Sequence, residues 1–206
     1  MNGMIGRKIG MAQIYGSGNR AVPVTLIEAG PCIVTQVKTK EHDGYEAVQL
    51  GFLDVKPQKI NKPLAGHFAK AQTSPKKVLR EFRLADAKGY QAGQTVTADI
   101  FKAGELVKIS GVTKGKGTAG VVKRHGFGGG PATHGQTDRT RRSGAVSSGS
   151  TPGRVYPGKR MAGHMGHRNF SLRNVRIEKV DAEKNIIVVR GRVPGAAGGI
   201  ITIHKQ

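Results

Sequence analysis

Short runs in which apolar and polar residues alternate recur along the first 110 residues and again after residue 168. This period of two is the pattern of strands with one buried face, and Gly, Pro, Asn and Asp clusters between the runs predict turns. Strands this short and this evenly spaced are typical of a barrel or a sandwich. The predicted strands lie at 8–15, 21–29, 32–39, 46–55, 77–84, 94–101, 105–112, 174–180, 185–193 and 198–204.

The same pattern gives finer predictions for one strand and for the helices. In the third predicted strand, CIVTQVKT, the alternation places Ile33, Thr35 and Val37 on the inward face. Helix is scarce in this chain. The best candidate spans 61–72, where apolar residues recur at helical spacing, and a second short candidate spans 121–124.

The middle of the chain, residues 111–168, breaks this pattern. It contains neither Leu nor Ile, holds 15 of the 31 Gly, and carries 11 Lys and Arg against one acid, Asp138. Such a segment buries too little apolar surface to offset its ordering entropy, so it is either disordered or folded against a partner. We therefore expect a mainly β protein in which a long, Gly-rich basic loop extension interrupts a β-barrel domain. The barrel domain is expected to comprise 1–110 and 169–206, with a small subdomain at 56–95.

Charge narrows the class of partner. The chain has 34 Lys and Arg, 13 Asp and Glu, and a formal net charge of +21. An excess of this size works against compaction unless an anion neutralises it, and it is the electrostatic footprint of nucleic-acid binding. An anionic membrane is the alternative, but the chain has neither an amphipathic helix bearing Leu or Trp nor an apolar run of transmembrane length. With no recognisable signal peptide and a single cysteine, Cys32, we expect a soluble protein of a reducing compartment.

Three motifs that could indicate an enzyme or a metal site lack the context they need. GKGTAG (115–120) has the spacing of a dinucleotide-binding loop, but no second buried strand leads to an acidic residue. GRVYPGKR (153–160) is similar to a P-loop, but Arg160 stands where the magnesium-binding hydroxyl belongs. His164 and His167 have metal-ligand spacing without further ligands nearby. We expect no enzyme activity, cofactor, metal or small-molecule substrate; a nucleotide-dependent enzyme built around GKGTAG is the alternative from another class.

The basic side chains of the middle segment are the candidate RNA-binding residues. Arg pairs with phosphate through two donors or stacks on bases, Lys neutralises phosphate as a point charge, and interleaved Gly lets another backbone approach closely. Aromatic platforms for single strands are nearly absent, which favours groove and junction filling in a folded RNA. With the neighbouring histidines, the candidates are Lys114, Lys116, Lys123, Arg124, His125, His134, Arg139, Arg141, Arg142, Arg154, Lys159, Arg160, His164, His167 and Arg168.

Two stretches of the middle segment resemble a known family. VTKGKGTAGVVKRHGFGGGPATHG (112–135) and STPGRVYPGKRMAGHMGHRN (150–169) are similar to the bacterial form of large-subunit ribosomal protein three, in the universal L-three family. The start of the chain, residues 3–15, and the segment 180–199 resemble the same family. The resemblance therefore covers essentially the whole chain.

The resemblance implies a structural constituent of the large ribosomal subunit, located in the cytoplasm. It implies that the barrel lies on the solvent side of the subunit, while the extension penetrates 23S rRNA and ends near the peptidyl-transferase centre. It also implies a primary 23S rRNA binder that nucleates assembly and neighbours the large-subunit proteins numbered fourteen and nineteen, with no membrane contact. The implied tip residues near the peptidyl-transferase centre are Ser147, Ser148, Gly149, Ser150, Thr151, Pro152 and Gly153.

This chain departs from the family pattern at that tip. Many bacterial relatives carry a methylated Gln immediately before the Thr-Pro-Gly sequence, and this chain has Ser150 in that place. The runner-up function is a free-standing RNA chaperone or ribosome assembly factor that uses the same basic loop reversibly. Stoichiometric co-sedimentation with mature large subunits in high salt would distinguish a resident protein from such a factor.

Overall fold

The structure is a computed structural model that describes residues 1–16, 19–87 and 89–206. Its strands are β1 (Gly3–Tyr15), β2 (Ala21–Ala29), β3 (Cys32–Lys38), β4 (Ala47–Asp54), β5 (Lys76–Arg83), β6 (Thr95–Val96), β7 (Leu106–Val112), β8 (Thr118–Ala119), β9 (Gly163–His164), β10 (Asn169–Asp181), β11 (Ile186–Arg190) and β12 (Ile200–Lys205). Its helices are α1 (Lys40–Asp43), α2 (Lys62–Lys70) and α3 (Val121–His125), with 3₁₀ turns at Pro57–Lys59 and Ala98–Ile100.

Six strands close into an antiparallel barrel in the order β1, β12, β7, β10, β11, β2. The first and last strands of the chain pair with each other, with Ile5 opposite Thr202. Register shifts in β1 after Lys8 and in β10 after Leu172 interrupt the regular ladders. Such irregularities bend strands and increase their twist, which closure of a sheet requires. The prediction of a mainly β fold with a β-barrel is confirmed.

The strands between β2 and β7 lie outside the barrel, although the sequence predicts 1–110, with its small subdomain at 56–95, as part of the barrel domain. β3 to β6 form a separate four-stranded sheet in the order β5, β4, β3, β6. β2 is already paired with β1 on one side and β11 on the other, so β3 finds no barrel edge there. The chain turns away at Gly30, whose φ of 90° favours glycine. The subdomain expected at 56–95 shares this sheet with β3 and β4, which precede it.

The inward face expected for β3 is wrong in part. Cys32 and Val34 are fully buried, whereas Ile33 and Val37 are only half-buried. The pairing of β3 with β4 skips Thr35, and this register shift breaks the period of two. Thr35 is itself buried, so it lies inside as expected, but it follows another buried residue.

The strand predicted at 94–101 is also mostly wrong. Only Thr95–Val96 pairs as a strand, and a 3₁₀ turn follows at Ala98–Ile100. The hydroxyl of Thr97 donates a hydrogen bond to Asp99 Oδ2 at 2.7 Å. Local bonds of this kind compete with sheet pairing, which explains why the chain turns here despite its alternating pattern.

The predicted helix at 61–72 is confirmed as α2. Phe68 and Ala71 are buried, 2% and 5% exposed, while Leu64 remains 44% exposed. His67 Nε2 lies 2.8 Å from Gln49 Oε1, which places the helix over β4. The helix therefore buries one large apolar side chain, Phe68, and leaves another, Leu64, exposed.

The chain divides into two compact units. We call Met1–Thr113 together with Asn169–Gln206 the β-unit, and Lys114–Arg168 the inserted unit. The chain leaves the barrel after Val112 and returns at Asn169, and these two residues pair across β7 and β10. Neighbouring strands thus provide both connections to the inserted unit.

Candidate nucleic-acid interface

The base of the inserted unit is a short antiparallel ladder. β8 pairs with β9, and beyond them Lys116 N donates to Met165 O while Met165 N donates to Gly117 O, both at 2.9 Å. Gly166 permits this close approach, since a Cβ there would lie 2.1 Å from Lys114 O. Glycine at this point therefore allows the two backbone segments to pack directly against each other.

Two predicted RNA-binding side chains hold the inserted unit together. α3 carries Arg124 and His125 and ends at Gly126, whose left-handed backbone donates to Val122 O. Arg124 Nη1 donates to Met161 O at 2.7 Å, and His125 Nε2 lies 3.0 Å from the same oxygen. These contacts join the outgoing and returning arms of the unit. Arg124 retains further guanidinium donors for phosphate.

Three arginines line a cleft in the inserted unit. The cleft has a volume of about 1200 Å³. Its lining residues include Phe127, Gly128, Gly129, Gly130, Arg139, Arg141, Arg142 and Met161. The single acid, Asp138, lies within 3.2 Å of Arg142 and 4.0 Å of Arg139. One carboxylate cannot neutralise three guanidinium groups, so the cleft keeps a positive excess that suits a phosphate backbone.

The expected tip forms a closed turn. Ser147 Oγ donates to Arg154 O at 2.9 Å, and Gly153 N donates to Gly149 O at 3.1 Å. The Arg154 guanidinium lies over the Tyr156 ring, 5.8 Å from its centroid. The tip is therefore shaped by small residues and backbone bonds, with its one charge at the edge.

The remaining predicted residues lie on the surface of the inserted unit. Those with exposed side chains are Lys114, Lys116, Lys123, His134, Arg141, Lys159, Arg160, His164, His167 and Arg168. Within the described residues of this unit only Ala119 and Val121 are buried. With so small a core, this unit leaves most of its polar side chains exposed.

The residues that the structure describes contain neither a cluster of potential metal ligands nor a helix that could span a membrane. Across the described residues, no group of three His, Cys, Asp or Glu side chains could hold a metal ion. In that same part of the chain, no helix is long and apolar enough to cross a membrane.

The β-unit carries a basic segment that overlaps the Lys-rich subdomain expected at 56–95 but was not among the predicted RNA-binding residues. Residues 55–80, which we call the lysine segment, contain six Lys and one Arg and no acid. The sequence feature that could have identified this segment is the absence of acidic residues between Asp54 and Glu81. It was less visible than the middle segment because its composition is otherwise ordinary.

Comparisons with known proteins agree with the motifs and the charge. A family model described as Ribosomal protein L3 matches residues 62–187. The large ribosomal subunit protein uL3 of Corynebacterium jeikeium is 51% identical over 98% of this chain and 93% of its own length. The proteins of the same name from Herpetosiphon aurantiacus and Cutibacterium acnes are each 50% identical over 100% of this chain, and 96% and 92% of their own lengths. The chain therefore belongs to the ribosomal protein L3 family, whose members are structural proteins and not enzymes.

Proposed function

We propose that this protein is a cytoplasmic structural component of the large ribosomal subunit and a primary binder of 23S rRNA. Family membership and the names of the relatives support the place in the large subunit. The observation that carries RNA binding is the inserted unit, with 11 basic residues, one acid and almost no core. RNA phosphates supply both the counter-charge and the surface that this unit lacks.

The proposal extends to the role of each part. The inserted unit runs into folded rRNA, and its turn around Ser147–Gly153 lies near the peptidyl-transferase centre. Small side chains and glycines at this turn suit close packing against an RNA backbone. The β-unit nucleates assembly and contacts neighbouring subunit proteins, among them those numbered fourteen and nineteen.

The salt dependence of binding tests the proposed RNA contacts. The affinity of the full chain for a 23S rRNA transcript should fall steeply as KCl rises, because each neutralised phosphate releases counterions. Replacing Arg139, Arg141 and Arg142 together by Ala should lower the slope of log affinity against log salt by two to three, or about one per residue.

The matched control replaces the same three arginines by Lys. It keeps the charge, so it should keep the slope, while the loss of two-donor phosphate contacts weakens affinity. A slope that is the same in the triple-Ala variant and the wild type would show that these side chains do not contact RNA. Loss of the protein from mature subunits in high salt would favour the assembly-factor alternative.

A further inference from the structure

Positive charge in the β-unit is concentrated in the lysine segment. Its seven basic residues face no acid within the segment, while the rest of the β-unit holds 16 basic and 12 acidic residues. Most surfaces of soluble proteins mix the two signs. The lysine segment therefore stands out as a second local source of positive potential, separate in sequence from the inserted unit.

Five of the six lysines of this segment are exposed in the part of the chain that the structure describes, and four of these five precede β5. Lys56, Lys59, Lys62 and Lys70 are exposed, and in the described part of the chain no carboxylate lies within salt-bridge distance of them. Lys76 differs, because its Nζ lies 2.7 Å from Asp54 Oδ1. The hydrogen bond from Lys76, with a second from Ser74, holds the pKa of the Asp54 carboxyl below its ordinary value. The segment thus contains one lysine used within the fold, four before β5 that are available to a partner, and one further exposed lysine, Lys77, within β5.

The geometry of α2 presents two of these lysines together. Lys62 and Lys70 are eight residues apart, which places them about 80° apart around the helix and about 12 Å apart along it. Phe68, which is buried, lies roughly on the opposite side. Gly66 lies midway between the two lysines around the helix, and a Cβ there would meet nothing within 4 Å. A polymer backbone can therefore approach between the two charges.

The chemistry of the segment indicates the class of ligand. It contains one aromatic residue, Phe68, and that ring is buried, so no platform for stacked bases is exposed. Lysine neutralises phosphate as a point charge without reading base edges. An anionic membrane fits less well, because insertion into its surface needs an exposed apolar helix face. In α2, Phe68 is buried within the protein, and Leu64 is the one large apolar side chain that is exposed.

We propose that Lys56, Lys59, Lys62 and Lys70 form a second RNA-binding surface that holds the phosphate backbone of an RNA duplex without sequence preference. This inference rests on the proposed function, since it assigns a further surface to the same RNA. Duplex nucleic acid presents about one phosphate per 1.7 Å of axis, so a face about 12 Å long meets several phosphates.

Two charge-matched variants of the full chain test this surface. One replaces Lys56, Lys59, Lys62 and Lys70 by Gln. The control removes the same charge from exposed lysines elsewhere in the β-unit, by Gln substitution at Lys40, Lys102, Lys179 and Lys184. Binding to a 23S rRNA transcript is measured from about 50 to 300 mM KCl. The first variant should lose about three from the salt slope, and the control less than one.

Lysine acylation provides a direct second readout. In the wild type, 23S rRNA should protect Lys56, Lys59, Lys62 and Lys70 from an amine-reactive reagent, as detected by mass spectrometry, while Lys184 remains reactive. If both variants have the same salt slope, or if 23S rRNA does not protect the four lysines, the proposal of a second RNA-binding surface is wrong. Binding of 23S rRNA by the wild type in that case would still support the proposed function. Absence of wild-type binding would overturn both. If the wild type binds anionic lipid vesicles, and the first variant loses that binding but binds RNA as the wild type does, the surface binds membranes and not RNA.

Discussion

Lys8 and Cys32 are titratable residues of the β-unit whose side chains are buried, and His204 is a third that is half-buried. Lys8 is 8% exposed, and its Nζ donates to Val193 O at 2.8 Å and Gly195 O at 3.2 Å. Cys32 is fully buried, and burial raises the pKa of its thiol to about 11, which keeps it in the unreactive neutral form. Lys8 and Cys32 are therefore part of the folded interior and not of a reactive site.

Replacing Lys8 by Met should destabilise the protein by about 2–3 kcal/mol, because one buried and one partly buried carbonyl lose a charged donor. Chemical denaturation of the full chain measures this change in the free energy of unfolding. Lys179→Met, at an exposed position of β10, is the matched control and should change stability little. Equal stability of the two variants would mean that the Lys8 bonds contribute nothing net.

His204 should make stability depend on pH. Burial and then the nearby Lys108 charge lower the pKa of its imidazole, so folding favours the neutral ring. The stabilisation is present above the unfolded-state pKa of about 6.5, and it is lost as the pH falls below that value toward the folded-state pKa.

Thermal unfolding of the wild type between about pH 7.5 and pH 5 should therefore show a larger loss of stability than that of His204→Gln. His42→Gln, a change at an exposed histidine of α1, should follow the wild type. The role assigned to His204 is wrong if its variant loses as much stability on acidification as the wild type does.

Glycines serve opposite purposes in different elements. In β1, a Cβ at Gly3 would lie 2.6 Å from Phe82 Cδ1 and 2.8 Å from Ile203 O, so glycine lets the strand pack against the second sheet. In α2, a Cβ at Gly66 would meet open space. The first glycine is required by packing, whereas the second weakens its helix without a steric reason within the protein.

The two glycine-to-alanine variants should consequently shift stability in opposite directions. Gly66→Ala should stabilise the protein by about 1 kcal/mol and raise the melting temperature by about 2–4 °C. Gly3→Ala should cost about 1–3 kcal/mol through overpacking. Melting of both variants beside the wild type checks the pair, and a shift of the same sign in both would contradict the packing argument.

Across the molecule as a whole, apolar surface and positive charge are distributed unequally. The β-unit contains the barrel and nearly all buried side chains, whereas the inserted unit has 11 basic residues and almost no core. The β-unit and the base of the inserted unit should supply most of the free energy of binding to 23S rRNA. The tip carries one charge, Arg154, and its role should be local packing beside RNA.

Deleting 147–152 should leave incorporation into large subunits near normal, and change the peptidyl-transfer rate or the sensitivity to antibiotics that bind the peptidyl-transferase centre. Arg154→Ala and the double Ala variant of Lys159 and Arg160 are the comparison, and they should reduce subunit yield first. Sedimentation and peptidyl-transfer rates on purified particles measure both effects. This assignment of roles is wrong if the deletion blocks incorporation into large subunits. It is also wrong if the deletion leaves both the peptidyl-transfer rate and the antibiotic sensitivity unchanged.

Local pattern is sufficient for much of the fold and for the family. Most strands follow from residue alternation and turn residues, and α2 follows from apolar residues at helical spacing. The motifs at 112–135 and 150–169 are enough to identify the family. Prediction failed where a side chain bonded locally, as at Thr97, or where pairing skipped a residue, as at Thr35. Both failures depend on interactions that a period of two does not encode.

Short-range periodicity establishes that the chain is mainly β. Composition establishes that its middle lacks the residues for a core, and that its net positive charge suits a polyanionic partner. These properties are sums along the chain, which need no knowledge of pairing partners. The three-dimensional fold was needed to show that β3 to β6 form their own sheet, and that Arg124 and His125 join the two arms at Met161 O. The physical reason is that every strand offers hydrogen bonds on both edges, so the choice of partner depends on which edges distant strands have already occupied.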